Sequence, residues 1–184
     1  MSTVEQMTKM FINNKIDNTG KVSKYFEDMN FRKANLLDWN ASKTVWKEVV
    51  GRLILDDFLK HYTWNTDSVI QKKGVDFVFN NKNTDLKSLV GNYRDENGLN
   101  ITLELKQYNK ETLTEDKLTD VLAYTVLEEN RISLVLIPYK KLLKQLPALV
   151  EKYEHKISNN GSGEYIKVPV NQLKGVMFLE RLHC

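Results

Sequence analysis

Two aspartates and a lysine stand close together in the stretch KKGVDFVFNNKNTDLKSL, at residues 72–89. Asp76 precedes an apolar run, and Asp85 and Lys87 flank Leu86 nine residues later. Carboxylate oxygens are the ligands that hard divalent cations such as Mg²⁺ prefer, and an ammonium group can stabilise developing negative charge. The spacing therefore indicates a candidate cation site, provided that the fold brings the three side chains together.

A β-hairpin is the element that would position them, because FNNKNT is a turn signal between two β-rich runs. A two-residue tip at Asn81–Lys82 and a four-residue tip predict the same register. In that register Val78 lies opposite Asp85, and Asp76 lies opposite Lys87.

Side chains alternate along a strand, so this register divides the hairpin into two faces. One face carries Asp76, Val78, Asp85 and Lys87, whereas the other carries Val75, Phe77, Phe79, Thr84 and Leu86. Two interpretations stay open. Asp76 and Lys87 could form an ion pair on an ordinary solvent face, or the two carboxylates could hold a divalent cation. Aspartate is depleted in strands, and unpaired charge is costly in a central strand, which favours the cation.

The surrounding elements predict a mixed α/β (α+β) fold with a central mixed sheet flanked by helices. Helices are expected at 4–11, at 21–29, at 41–62 with Ser42 as N-cap, and at 139–153 with Pro147 as a kink or early stop. Strands are expected at 68–71, 75–79, 84–90, 100–108, 131–138 and 164–170. The run LTDVLAYTVL at 118–127 fits either a helix or a buried strand.

Length and composition favour one domain over residues 1–184, with a helical N-terminal extension at 1–40 and a catalytic core at 42–184. The net charge of +3 permits nucleic-acid binding without arguing for it. No apolar run approaches the ~20 residues of a membrane span, and the first residues lack the apolar stretch of a signal peptide. The one cysteine, Cys184, excludes an internal disulfide. A cytoplasmic protein without a membrane partner is the expectation.

At Asp76 and at Asp85-Leu86-Lys87 the chain resembles the PD-(D/E)XK nuclease superfamily, which has the restriction-endonuclease-like fold. The pattern of that superfamily is an Asp at the start of one strand, followed on the next strand by Asp or Glu, any residue, and Lys. Val75 stands where the pattern has proline, a departure that is common in the superfamily. The resemblance is closest to restriction-type and phage-borne members.

The resemblance implies a Mg²⁺-dependent DNA endonuclease, with Mn²⁺ as a substitute ion, that leaves a 5′-phosphate and a 3′-hydroxyl. Asp76 and Asp85 would hold the metal, and Lys87 would act in catalysis. A type II restriction enzyme that acts on double-stranded DNA as a homodimer is the leading subtype. A repair or Holliday-junction-type nuclease, and a non-catalytic nucleic-acid-binding domain of the same fold, are the alternatives.

Members of the superfamily often add a glutamate from the preceding helix. Glu48 is the candidate here, because it is the one glutamate in that helix and lies on the side away from Trp46; Asp56 and Asp57 are later alternatives.

A second E-x-K match, Glu104-Leu105-Lys106, defines an alternative site made of Asp85, Glu104 and Lys106. Its residues also fit the alternation of any half-exposed strand, so the Asp76–Asp85–Lys87 set is preferred. The three histidines have no metal-binding spacing, and no phosphate-binding glycine motif occurs.

Overall fold

The computed structural model describes residues 39–128, 130–158 and 161–182. The helices expected at 4–11 and 21–29 lie outside the described residues. No helix within the described ranges is long and apolar enough to span a membrane.

The described chain forms three α-helices and eleven strands. The helices are α1 (Trp39–Phe58), α2 (Ser68–Lys72) and α3 (Tyr139–Lys152). The strands are β1 (Thr63–Trp64), β2 (Phe77–Phe79), β3 (Lys82–Val90), β4 (Arg94–Asp95), β5 (Gly98–Gln107), β6 (Lys110–Glu111), β7 (Val121–Leu127), β8 (Arg131–Pro138), β9 (His155–Ile157), β10 (Gly163–Pro169) and β11 (Met177–Leu182).

Two sheets organise these strands. The first has six strands in the order β1-β2-β3-β7-β8-β11, with β3 and β7 parallel and the remaining neighbours antiparallel. The second is antiparallel, in the order β4-β5-β10-β9, with β6 paired to β5. The mixed central sheet and its helices confirm the predicted mixed α/β fold class.

Both faces of the first sheet are covered. Helix α1 packs on one face over a small core made of Leu55, Leu59, Phe77, Ala123, Leu134 and Leu136. The second sheet and α3 cover the other face over a larger core, which includes Ile101, Leu103, Leu122, Tyr124, Val126, Ile137, Leu142 and Ile166. A strand in the middle of the first sheet is therefore buried on both sides.

Strand β7 shows why the run at 118–127 was ambiguous. Leu122, Tyr124 and Val126 face the second sheet, and Ala123 faces α1. Because β7 is buried on both faces, it has no polar alternation that would distinguish it from a buried helix. Its pairing with β3 settles it as a strand.

Two local predictions are wrong, and a third is wrong in part. The segment 68–71 is helical, because the Asp67 side chain accepts hydrogen bonds from the main-chain N–H groups of Val69 and Ile70 and so caps α2. Helix α1 already includes Trp39, so Ser42 lies inside the helix and not at its N-terminus. Pro147 lies inside α3, which continues to Lys152 rather than stopping early.

The hairpin forms, but its predicted register is wrong by two residues. The tip is Asn80–Asn81, both with positive φ (48° and 58°), so Phe79 pairs with Lys82 and Val78 with Asn83 instead of Asp85. Asparagine tolerates this left-handed conformation, which a two-residue hairpin tip of the I′ type requires. A shift of two residues preserves the division into faces, so the aspartates and the lysine still share one side.

Close packing of α1 on the sheet depends on Gly51. A Cβ atom at this position would lie 1.9 Å from the Ser88 hydroxyl oxygen and 2.8 Å from that of Thr125. We predict that Gly51→Ala lowers the free energy of unfolding by about 1–2 kcal/mol, because overpacking outweighs the gain in helix propensity of about 1 kcal/mol. Chemical denaturation measures the change.

Ser88→Ala serves as the control in the Gly51→Ala background. It removes the nearest clashing atom and should restore part of the lost stability. A stabilised Gly51→Ala protein would show that α1 does not pack this closely.

Candidate active site

The carboxylate of Asp76 forms a hydrogen bond to strand β3. The hairpin ladder ends at Phe77 and Thr84, and the main-chain N–H of Asp76 donates to the Thr84 carbonyl at 2.9 Å. Oδ2 of Asp76 accepts a hydrogen bond from the main-chain N–H of Leu86 at 2.7 Å. The Asp76 side chain thus accepts the hydrogen bond that a carbonyl of a neighbouring strand would otherwise accept from Leu86, the residue between Asp85 and Lys87.

The two carboxylates repel each other in this position. The pKa of Asp76 is raised to about 7 by burial, then by the negative charge of Asp85 and a hydrogen bond between the two side chains, which together outweigh the lowering by the Leu86 N–H and Lys87. A cation between the two carboxylates would relieve this repulsion.

Asp85 lies between two ammonium groups. Its residue is 4% exposed, and Oδ1 lies 3.0 Å from Nζ of Lys87 while Oδ2 lies 3.6 Å from Nζ of Lys117. Burial lowers the pKa of Lys87, but the charges of Asp85, Asp76 and Glu104 and a hydrogen bond to Asp85 outweigh it, so the pKa is raised. Lys87 therefore stays protonated, and its side chain remains 43% exposed.

The main chain before Asp76 is held on both sides. Asn65 donates from its main-chain N–H to the Asp76 carbonyl and from its amide to the Val75 carbonyl, both at 2.8 Å. The Thr119 hydroxyl donates to the Gly74 carbonyl at 2.7 Å. These three bonds fix the main chain at residues 74–76, from which it enters β2.

Gly74 makes room for the second lysine. Its φ is +81°, and a Cβ atom would lie 2.5 Å from Oγ1 of Thr119 and 3.2 Å from Cδ of Lys117. Only glycine combines this backbone conformation with so close an approach. The lysine stem can therefore pass beside Gly74 and reach Asp85.

A cavity of about 320 Å³ opens beside Asp85 between the two sheets, and Lys87, Glu104, Lys117 and Tyr124 also line it. Glu104 of the alternative set thus borders the same space from β5, which belongs to the second sheet. Its strand neighbour Lys106 is exposed and pairs with Glu164, Nζ to Oε2 at 3.4 Å. The structure therefore groups Glu104 with the hairpin residues and leaves Lys106 outside the cavity.

Of the other predicted residues, Asp56 and Asp57 are separate from this group. Glu48 lies on α1, but its side chain is outside the described residues. Asp56 accepts a hydrogen bond from the Tyr62 hydroxyl, and Asp57 pairs with Arg181.

Of the histidines, His61 and His155 are exposed, and His155 contacts Glu164; His183 is outside the described residues. Within the described ranges, no group of three or more His, Cys, Asp or Glu side chains is placed to hold a metal ion.

Sequence reasoning missed Lys117, Asn65 and Thr119. Lys117 lies in the polar loop TLTEDKLTD, where nothing in composition or periodicity distinguishes it from a solvated lysine. It comes to the site only because residues 112–120 fold back over the start of the hairpin. Leu118 and Thr119 make that contact, because the Leu118 N–H donates to the Lys73 carbonyl and the Thr119 hydroxyl donates to the Gly74 carbonyl. Asp120 holds the end of the loop to β3, since its N–H donates to the Asn83 carbonyl and its Oδ2 accepts from the Asn83 N–H.

Comparison with known proteins gives a distant likeness. No protein-family model and no curated protein matches the chain. Among solved structures, a restriction endonuclease in complex with substrate DNA is similar, with a TM-score of 0.41 and 10% sequence identity over 74% of this chain and 69% of that one. At this distance the likeness assigns neither fold nor function.

The raised pKa of Asp76 predicts a pH dependence of stability in the absence of divalent ions. Its value rises on folding from 3.8 to about 7, so the folded state binds the proton more tightly than the unfolded state does. Stability from this group is present below pH ~4 and is lost as the pH rises through ~7. We expect the free energy of unfolding to fall by on the order of 2 kcal/mol between pH ~5 and ~8, as measured by denaturation without metal.

Asp76→Asn is the matched variant, because the amide oxygen can still accept from the Leu86 N–H while the charge is gone. It should flatten the pH dependence. Adding Ca²⁺ at pH ~8 should raise the melting temperature of the wild type but not of Asp76→Asn, since a cation relieves the repulsion. An unchanged pH profile in the variant would mean that Asp76 is not the titrating group.

Proposed function

We propose that this protein is a Mg²⁺-dependent endonuclease that hydrolyses phosphodiester bonds in double-stranded DNA. The observation that supports the proposal best is the grouping of two carboxylates with one ammonium group: Asp76 interacts with Asp85, and Asp85 forms an ion pair with Lys87 in the wall of a cavity. Such a set combines ligands for a hard cation with a donor for a phosphate.

Asp76 and Asp85 fit Mg²⁺ by their chemistry. Mg²⁺ is commonly held in proteins by one or two carboxylates and keeps several waters, so a third protein carboxylate is not required. The negative charges of the two carboxylates repel each other, and a bound cation would neutralise them. When bound, the ion would polarise the scissile phosphate and make a bound water more acidic. Mn²⁺ would substitute for it.

Lys87 is the residue of this chain that would act on the phosphate. Its ammonium is protonated, lies 3.0 Å from Oδ1 of Asp85, and keeps part of its surface open to the cavity. In that position it can orient the attacking water and stabilise the charge that develops on the phosphate oxygens. Attack of water on phosphorus would break the bond to the 3′-oxygen, leaving a 5′-phosphate and a 3′-hydroxyl.

Within this class we propose a type II restriction-type enzyme that works in the cytoplasm as a homodimer, since two-fold symmetric sites suit two-fold symmetric proteins. Digestion of mixed-sequence DNA, followed by sequencing of the ends, tests the subtype. Cleavage at one short palindrome would support it. Cleavage at junctions or mismatches instead would assign the protein to repair or recombination.

Asp85→Asn should abolish Mg²⁺-dependent nicking of plasmid DNA. The substitution keeps the shape of the side chain and removes the charge that would hold the ion, while DNA binding and the fold should be largely retained. Asp95→Asn, an equivalent change at an exposed aspartate, is the control and should cleave normally. Gel analysis with Mg²⁺ and with EDTA gives the rates, and an active Asp85→Asn protein would refute the proposal.

Lys87→Ala and Lys106→Ala discriminate between the two candidate lysines. Lys87→Ala should slow single-turnover cleavage by on the order of 10²-fold or more, because the charge stabilising the transition state is lost. Lys106→Ala should change the rate far less, since this side chain pairs with Glu164 outside the cavity. The reverse order would move the active site to β5.

A further inference from the structure

A second cavity lies next to the candidate active site. It has a volume of about 380 Å³ and opens between the loop at 112–120 and the start of α3. Lys117, Lys140 and Lys144 line it, together with Tyr139, Leu143 and the exposed Glu115. Its size falls within the range of small-ligand sites, and its ionisable groups are mostly cationic.

Lys117 connects this cavity to the site. Its side chain lines both cavities, and its ammonium lies 3.6 Å from Oδ2 of Asp85. A polyanion bound beside Asp85 and Lys87 would therefore extend into the second cavity.

The start of α3 carries an excess of positive charge. Lys140, Lys141 and Lys144 all lie in the first six residues of the helix, and its first turn contains no acidic residue. Cations at this end of a helix are disfavoured by the helix dipole. Among the described residues, neither Lys140 nor Lys144 forms an ion pair. An anionic ligand would balance both effects.

The walls of the cavity are held together by Tyr139, which is 2% exposed. Its main-chain N–H donates to the Asp120 carbonyl at 2.8 Å, and its hydroxyl accepts from the Thr114 N–H and donates to the Thr114 carbonyl, both at 3.0 Å. The loop that carries Lys117 is thereby tied to the helix that carries the other two lysines. The three ammonium groups therefore belong to one preformed surface.

We propose that this cavity binds a backbone phosphate of the DNA strand that enters the candidate active site, with Lys140 and Lys144 as its main contacts and Lys117 between it and Asp85. The inference rests on the proposed function, since it assigns the cavity to the same substrate. It adds a subsite that would set the direction in which the strand crosses the protein.

Lys141 supplies the matched control. It stands in the same turn of α3 and carries the same charge, but its ammonium lies 3.1 Å from where a Cβ on Gly175 would be, and it does not line the cavity. A general attraction of DNA to positive charge would make all three lysines equivalent. A phosphate subsite would separate Lys140 and Lys144 from Lys141.

Equilibrium binding of a fluorescein-labelled duplex of about 20 base pairs, measured with Ca²⁺ over a range of KCl concentrations, tests the subsite. Lys140→Ala and Lys144→Ala should each weaken binding by about 3–10-fold near 0.1 M salt and lower the slope of log Kd against log salt by up to ~1. Lys141→Ala should change Kd less than about 2-fold. Melting temperatures of the three variants check that each remains folded.

Equal effects of the three substitutions, no effect of any, or no DNA binding by the wild type would overturn the inference. Its failure is distinct from failure of the proposed function. Suppose that the wild type binds DNA, that Lys140→Ala and Lys144→Ala weaken binding more than Lys141→Ala does, and that no cleavage occurs. The proposed nuclease activity would then be refuted, and the phosphate subsite would stand. Normal cleavage without this difference between the lysine variants would refute the subsite and leave the nuclease activity standing.

Discussion

The repulsion between the carboxylates of Asp76 and Asp85 is the constraint on which the rest of the site depends. Folding places both groups on one side of a hairpin whose strands are covered by helix α1 and by the second sheet, so neither is fully hydrated. The free-energy cost of ionising both groups appears as the raised pKa of Asp76, which burial and then the charge of Asp85 cause. It is reduced by the Leu86 N–H and by the ammonium of Lys87, and a divalent cation would remove it.

The arrangement of two sheets explains how charged groups reach so buried a position. Strand β3 lies in the middle of the first sheet, and its Asp85 faces the second sheet rather than solvent. Buried charge of this kind persists only with partners. One partner, Lys87, comes from the same strand, and the other, Lys117, comes from a loop that passes over Gly74. The same loop forms one wall of the second, lysine-lined cavity.

Local signals in the sequence predicted the hairpin, its two faces and the strand β8, because alternation and turn residues act over a few positions. The register was missed by two residues, since Asn80 and Asn81 could not be distinguished from Asn81 and Lys82 as the tip. The short helix α2 was missed because a capping Asp67 outweighed the strand preference of Val69 and Ile70. The position of Lys117 and the hydrogen bonds from Asn65 to the carbonyls of Val75 and Asp76 depend on contacts between separate segments of the chain. The periodicity of the sequence does not indicate such contacts.

A crystal structure with Mn²⁺, measured at a wavelength where manganese scatters anomalously, tests the joint carboxylate site most directly. The account predicts one anomalous peak bound by oxygen atoms of both Asp76 and Asp85, and the loss of that peak in Asp85→Asn crystals. A peak held by Asp85 and Glu104 without Asp76, or no peak beside the hairpin, would contradict it.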